Sequence, residues 1–266
     1  MRVTLEDVSK SYETRGREAV RAVAPIDLTV ESGEFVSLVG PSGCGKTTLL
    51  DMLIGVLQPT TGRVLLDGRT VEESSADSDR PGVVLQTPTL LPWRTVRSNV
   101  ALPVECGPAA RRGERRDKEA IRRRTDELLS LVQVSDFGDR YPWELSGGMQ
   151  QRVAIARALF LRSTLMCFDE PFSALDEFTR ETLHAELQRI WMAERFTAVF
   201  VTHNISEAVL LSDRVIVMAP RPGRIVGDFT IDIPRPRAVD ALTTTELGTY
   251  VARVRSALRA GMESAA

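Results

Sequence analysis

The chain has 266 residues, 43% hydrophobic and 26% charged, enough for one large α/β domain or one domain with an inserted subdomain. This composition excludes collagen-like, disordered and disulfide-rich classes. A formal net charge of −2 argues against a protein whose main work is binding nucleic-acid phosphates over a broad surface. Cys44, Cys106 and Cys167 stand far apart with no C-x-x-C pair, which suits a reducing compartment rather than a disulfide framework or a zinc site.

Along the chain, "MRVTLEDVSKSY" carries charges where a signal peptide needs an apolar run, so a chain that is not exported is expected. Strands are expected near 2–8, 23–30 and 34–39. The third runs into "VGPSGCGKTTLL" (39–50), whose spacing Gly40-x-x-x-x-Gly45-Lys46-Thr47 is that of a phosphate-cradling loop. Gly40, Gly43 and Gly45 let the backbone turn tightly and aim N–H groups at phosphate oxygens. Lys46 is placed to reach the β- and γ-phosphates, Thr47 offers a hydroxyl to Mg²⁺, and the helix starting here (46–57) adds its positive dipole end. "GRVLLDG" (62–68) reads as a strand with a turn on each side.

From 87 to about 162 the character changes to proline-rich turns, an arginine-rich segment (111–124, eight basic and three acidic residues) and helical patterning, so a mostly helical insertion is expected. The basic segment reads as a solvated helical face, with contact to anionic lipid or a membrane partner as the alternative. The longest uncharged stretch, 81–93, has thirteen residues and three prolines, short of the ~20 apolar residues of a membrane span. Any membrane association is then expected through a partner or the surface. The α/β rhythm returns with strands at 164–171 and 197–203 around a helix at 176–194, then paired strands in "RVIVMAPRPGRIVGDFTIDIP". In the tail, Leu247, Val251, Val254 and Leu258 fall on one face of a helix over 242–260 that should dock on something.

Two further segments carry chemistry. "LMCFDE" is an apolar strand ending in Asp169 and Glu170, and in a parallel sheet ligands sit at such carboxyl ends. Asp169 would face Mg²⁺ and Glu170 would act as general base toward the attacking water. "LSGGMQQR" (145–152) opens a helix, and Ser146, Gly147 and Gly148 at its N-terminus make a second anion cradle. One γ-phosphate can hardly be shared by both cradles within a monomer if the second lies on the helical insertion. A head-to-tail dimer resolves this, each nucleotide lying between one chain's phosphate loop and the other's LSGG.

With these motifs in this order, residues 1–230 resemble the ATP-binding subunit of the ABC transporter family, and LSGGMQQR resembles its signature segment. The resemblance implies a P-loop NTPase core of the ABC ATPase type, with an inserted mostly helical subdomain and an N-terminal antiparallel β part. It implies an ATP-binding domain over 1–232, with 87–162 inserted, and a C-terminal extension over 233–266. ATP and Mg²⁺ are the implied cofactors, and Pro41, Ser42, Cys44 and Thr48 join the glycines, Lys46 and Thr47 around the nucleotide. By the same resemblance Tyr12 stacks on adenine, Gln86 meets Mg²⁺ and the attacking water, Asp176 crosses the dimer, and His203 contacts the γ-phosphate. The other histidine, His184, on a mixed helix, reads as structural. The Cys44 thiol is expected inside the loop, where alkylation would block ATP.

Departures are Ser163, where the family commonly has proline, and Cys167 and Phe168, where it has aliphatic residues; no catalytic position is missing. Within the family, "QTPTLLPWRTVRSNV", "VMAPRPGRI" and "IDIPRPR" resemble importers of nitrate, sulfonate, taurine, bicarbonate and thiamine-precursor type solutes. The implied partners are a second copy, an integral-membrane permease and, through it, a solute-binding protein, with no nucleic acid. The implied location is peripheral, on the cytoplasmic face of the cell membrane. Trp93, in Leu91-Pro92-Trp93, reads either as an anchor on the permease or as a core tryptophan of the insertion. The alternative class is a soluble ABC-type ATPase acting on nucleic-acid or ribosomal machinery, against which stand a single cassette and the lack of a heptad run. A P-loop kinase or GTPase has no use for LSGGMQQR.

Overall fold

The computed structural model describes residues 1–13, 19–76, 80–106, 117–237 and 245–264. Strands β1 (Val3–Tyr12), β2 (Val20–Val30), β4 (Thr61–Leu66) and β5 (Arg69–Thr70) form an antiparallel sheet in the order β2-β1-β4-β5. The second sheet holds β3 (Phe35–Val39), β6 (Gly82–Val84), β7 (Leu165–Asp169), β8 (Thr197–Thr202), β9 (Arg214–Ala219) and β10 (Arg224–Thr230). Its order is β10-β9-β3-β8-β7-β6, with only β10 antiparallel to its neighbour. The expected paired strands after residue 213 are this β9–β10 hairpin. β1 runs on past residue 8, where the sequence was expected to stop, because register shifts keep it paired with β2 as far as Tyr12.

The parallel strands are apolar throughout because both faces are covered. Alternation then decides which face each residue serves. Phe35, Phe168 and Phe200 point into one core with Trp191, while Val36, Leu38, Cys167 and Val201 point into the other, beneath α1 (Lys46–Leu53). α1 is shorter than the 46–57 reading; Gly55, at φ 77, follows its last turn.

The described residues between β6 and β7 contain helices and no strand: α3 (Val96–Val100), α4 (Leu102–Cys106), α5 (Lys118–Leu131) and α6 (Gly147–Leu159), after the short α2 (Val71–Ala76) further back. The first six residues of the basic segment, 111–116, lie outside the described residues. The rest opens α5, with Asp117 as N-cap. α7 (Glu177–Glu194) and α8 (Ile205–Leu211) flank β8. α9 (Thr245–Glu263) docks its expected face on β9, β10 and α8, burying Leu247 and Val254. The first residues of the expected tail helix, 242–244, lie outside the described ones.

Register fixes the site. Val39 lies level with Thr202 and Val217, and Asp169 with Val201. The carboxyl ends of β3, β7 and β8 therefore open on one edge of the sheet, and the segments just beyond them carry the phosphate loop, Asp169-Glu170 and His203.

Candidate functional site: a phosphate loop against two carboxylates

The loop after β3 turns through left-handed backbone at Gly43 (φ 77) and Gly45 (φ 93), the latter serving as N-cap of α1. A Cβ at Gly40 would stand 2.5 Å from the Met218 carbonyl oxygen, and one at Gly223, in the β9–β10 turn, 2.2 Å from that of Cys44. The loop therefore rests directly on the hairpin backbone. Ser42, Gly43 and Thr47 are exposed. Cys44 is not: its thiol is fully buried in the core beneath the loop. Burial pushes that thiol's pKa up, with the Lys46 ammonium pulling the other way. The expected thiol inside the nucleotide cradle is thus corrected: Cys44 offers the cradle its backbone only, its side chain filling the space against Gly40.

Lys46 is 5% exposed, and its Nζ donates to the carbonyls of Gly40 (2.8 Å) and Pro41 (3.1 Å). It also lies 3.9 Å from Glu170 Oε1. Thr47 Oγ1 donates to Asp169 Oδ1 at 3.3 Å. Burial raises the Asp169 pKa, the neighbouring Glu170 charge adds to this, and the Thr47 hydrogen bond opposes it. Glu170 takes a left-handed backbone (φ 43), anchored by its N–H donating to Val201 O at 2.9 Å. Its second carboxylate oxygen lies 3.0 Å from His203 Nδ1. Gln86 Nε2 donates to Ser173 Oγ at 3.1 Å, and that hydroxyl donates to Glu170 O at 3.0 Å.

One cleft is thus lined by Ser42, Gly43, Gly45, Lys46, Thr47, Thr48, Gln86, Asp169 and Glu170, with Ala22 from β2 at its edge. His203, more than half exposed, reaches this group through Glu170. Ser173, which ties Gln86 to the Glu170 turn, was missed as a functional residue although it opens the "SALD" segment. Ala22 was missed too, and nothing in its sequence context marks it.

Among the described residues no group of three or more His, Cys, Asp or Glu side chains is arranged to enclose a metal ion. The available donors, Thr47, Asp169 and Gln86, are all oxygen ligands. They fit a hard cation that keeps water and phosphate oxygens in its own shell, as Mg²⁺ does.

Other sequence candidates lie outside this cleft. Tyr12 is 43% exposed at the end of β1, with Lys10 Nζ 5.5 Å from its ring centroid. Ser146 caps α6 by accepting from Met149 N, and Asp176 caps α7 by accepting from Thr179 N. A Cβ at Gly148 would stand 2.6 Å from Thr179 Cγ2, so the LSGG turn and the start of α7 share one surface. Trp93 is 70% exposed, which removes the core reading for it. His184 is buried against Phe172 and bonded to Glu207, structural as read.

Among the described residues no helix is long and apolar enough to cross a membrane. Residues 23–173 match the ABC transporter family. The chain is 46% identical over 239 residues to an uncharacterized ABC transporter ATP-binding protein of Methanocaldococcus jannaschii, covering 89% of this chain and 85% of that one. It is 42% identical to the taurine import ATP-binding protein TauB of Rhizobium johnstonii, covering 87% and 84%. It is 43% identical to the nitrate import ATP-binding protein NrtC of Synechococcus elongatus, covering 88% of this chain but only 35% of that longer protein. Among solved structures, a dimeric ATP-binding cassette in a post-hydrolysis state bound to ADP and Pi superposes with a TM-score of 0.76 at 33% identity, covering 87% of this chain and all of the other. With its phosphate loop facing a carboxylate pair across one cleft, the chain belongs to the ABC transporter family as an ATP-binding, ATP-hydrolysing cassette.

Proposed function

We propose that this chain is the ATPase subunit of a membrane importer, working as a head-to-tail dimer on the cytoplasmic face beneath a permease. The solute is a small anion such as a sulfonate, taurine, nitrate or bicarbonate, or a thiamine-type precursor, delivered by a solute-binding protein. Relatives named for taurine and nitrate import support that choice. Trp93, exposed just beyond Gln86, suits an anchor on the permease. The cassette spans 1–232 with 87–162 as its helical insertion, and 233–266 is an extension.

In this reading the loop N–H groups and Lys46 hold the phosphates, and Tyr12 stacks on adenine. Thr47, Asp169 and Gln86 would hold Mg²⁺, which when bound supplies positive charge against the phosphate oxygens. Water attacks the γ-phosphorus, its proton passes to the Glu170 carboxylate, and the bond to the bridging oxygen of ADP breaks. His203 orients Glu170 and faces the γ-phosphate. Ser146, Gly147 and Gly148 of a second copy close over the nucleotide, with Asp176 at the same junction.

The observation that carries the reading is Glu170, held between Lys46 at 3.9 Å and His203 at 3.0 Å on the rim of the loop's cleft. Glu170→Gln keeps the size but cannot take the proton, and a positioned general base contributes ~10²–10⁴-fold. The variant should elute as a long-lived ATP-dependent dimer with turnover down by about two orders of magnitude. Near-normal turnover, with a dimer no longer-lived than wild type, refutes the assignment. Co-purification with a membrane permease, rather than with nucleic acid, separates this reading from a soluble ATPase of the same family.

A further inference from the structure

The turn carrying His203 is held from below by a buried polar group that the reaction itself does not use. Glu207, on α8, is 4% exposed. One of its carboxylate oxygens accepts from the Thr202 hydroxyl, and the other lies 2.7 Å from His184 Nε2. The Thr202 hydroxyl in turn accepts from Asn204 N at 3.0 Å, and the Asn204 side chain accepts from Glu207 N at 3.2 Å. Of the two neighbours of His203 in sequence, Thr202 is therefore tied to the Glu207 carboxylate and Asn204 to the Thr202 hydroxyl and the Glu207 backbone N–H, leaving His203 to project outward as the exposed member of the turn.

His184 extends this group to the other side of the site. Its ring packs edge-on against Phe172, at 5.3 Å between centroids and 68° between planes, and Phe172 lies two residues beyond Glu170. One imidazole thus touches both the segment after Glu170 and the carboxylate that fixes the His203 turn. Its Nδ1 is buried without a hydrogen-bond partner. Nε2 therefore faces the Glu207 carboxylate, while Nδ1 has no acceptor to donate to. Glu170, Ser173, Thr202, His203, Asn204 and Glu207 all border one small cavity behind the nucleotide cleft.

We propose that Glu207 is a positioning residue for hydrolysis: with Thr202 and His184 it sets the 3.0 Å approach of His203 to Glu170. The inference rests on the proposed roles of Glu170 and His203. It makes Glu207 act on the chemical step and not on nucleotide capture, because neither Glu207 nor its partners Thr202 and His184 line the cleft of the phosphate loop.

The test is steady-state ATP hydrolysis by the full chain, normalised to ATP-binding stoichiometry, with thermal midpoints measured in parallel. Glu207→Gln replaces one accepting oxygen by a donating amide, so either the Thr202 contact is lost or His184 must turn from donor to acceptor at Nε2 and carry its proton on the partnerless Nδ1. It should lower kcat by about tenfold or more while KM for ATP stays within about twofold, the signature of an interaction felt in the transition state. Thr202→Val should show the same split, and Thr202→Ser, which keeps the hydroxyl, should recover turnover to within about threefold of wild type. If Glu207 works through His203, adding Glu207→Gln to His203→Ala should cost less than about twofold further. Three results overturn the proposal: wild-type kcat in both Glu207→Gln and Thr202→Val, a loss that persists undiminished in the His203→Ala background, or a rise in KM that accounts for the whole effect. Wild-type turnover in His203→Ala itself would instead bring down the functional reading beneath it. A large loss in His203→Ala with none in the Glu207 and Thr202 variants would remove the positioning role alone.

Discussion

Arg237 offers a stability test that depends on where a buried charge finds its partners. Its side chain is 4% exposed and donates to the carbonyls of Val209 (2.8 Å) and Ser212 (2.6 Å) at the end of α8, and to those of Ile231 (3.1 Å) and Ile233 (2.9 Å) before it in the chain. The first two acceptors belong to a helix C-terminus, where carbonyls lack intrahelical partners and the dipole favours a cation. Its backbone exchanges two hydrogen bonds with the buried amide of Gln188, both at 2.9 Å. Burial, and next the neighbouring Arg235, push the guanidinium pKa down to about 10, so it stays charged at neutral pH. Arg237→Met strands these carbonyls. Hydrogen bonds to a charged group contribute about 1.5–3 kcal/mol each, so the Val209 and Ser212 contacts alone represent ~3–6 kcal/mol. Part of this is regained because no ion need then be buried, which leaves an expected loss of ~3–5 kcal/mol. At about 2–4 °C per kcal/mol for a chain of this size, the thermal midpoint should fall by ~10 °C. Urea unfolding followed by circular dichroism measures it, with Arg237→Lys expected between the two because it keeps the charge and three donors. A loss below ~1 kcal/mol in Arg237→Met, or equal losses in Met and Lys, would show that packing and not these bonds holds the segment.

Cys106 is exposed while Cys44 and Cys167 are fully buried, so iodoacetamide should label Cys106 first and the other two only on unfolding, as read by peptide mass spectrometry. Rapid native labelling of Cys44 that ATP prevents would reverse the orientation described for its thiol. Burial pushes the Cys167 thiol up from 9.0 to about 12. Below pH 9.0 both states keep this proton, and above it the unfolded chain loses it first, so the stability tied to this proton declines from there toward about pH 12. Cys167→Ala should flatten that part of the alkaline unfolding profile; an unchanged slope would clear the thiol of the effect. Ser146→Arg should leave ATP binding by a single chain near wild type, measured by equilibrium titration, while abolishing hydrolysis. Lost binding would put the LSGG turn in the chain's own site.

The parts of the site legible in the sequence are those whose physics is local. The phosphate loop announces itself because left-handed turns at Gly43 and Gly45 need glycine, and the carboxylates because an apolar run must precede them. Cys44 was misplaced because spacing fixes where a backbone goes, not which way a side chain leaves a tight turn. Glu207 was invisible for a different reason: in "THNISEA" it reads as a solvated first-turn acid that favours a helix N-terminus. Only the arrival of His184, twenty-three positions earlier in the chain, shows it to be buried. Arg237 likewise reads as surface charge until α8 is seen ending against it. The head-to-tail reading depends on LSGG lying on the helical insertion, and its Ser146 caps α6 there, between β6 and β7.

The contacts that crowd the glycines sort them by how far the sequence is free to drift. At Gly148 the obstacle to a Cβ is the Thr179 methyl, which a smaller side chain at 179 would remove, so these two positions can exchange bulk over successive substitutions. At Gly40 a main-chain oxygen, that of Met218, stands in the way, and at Gly223 that of Cys44 does the same. No change of side chain moves an oxygen that every residue carries. Among the described residues no smaller side chain clears either position, so descendants of this chain that keep the loop seated on the hairpin are expected to keep both glycines.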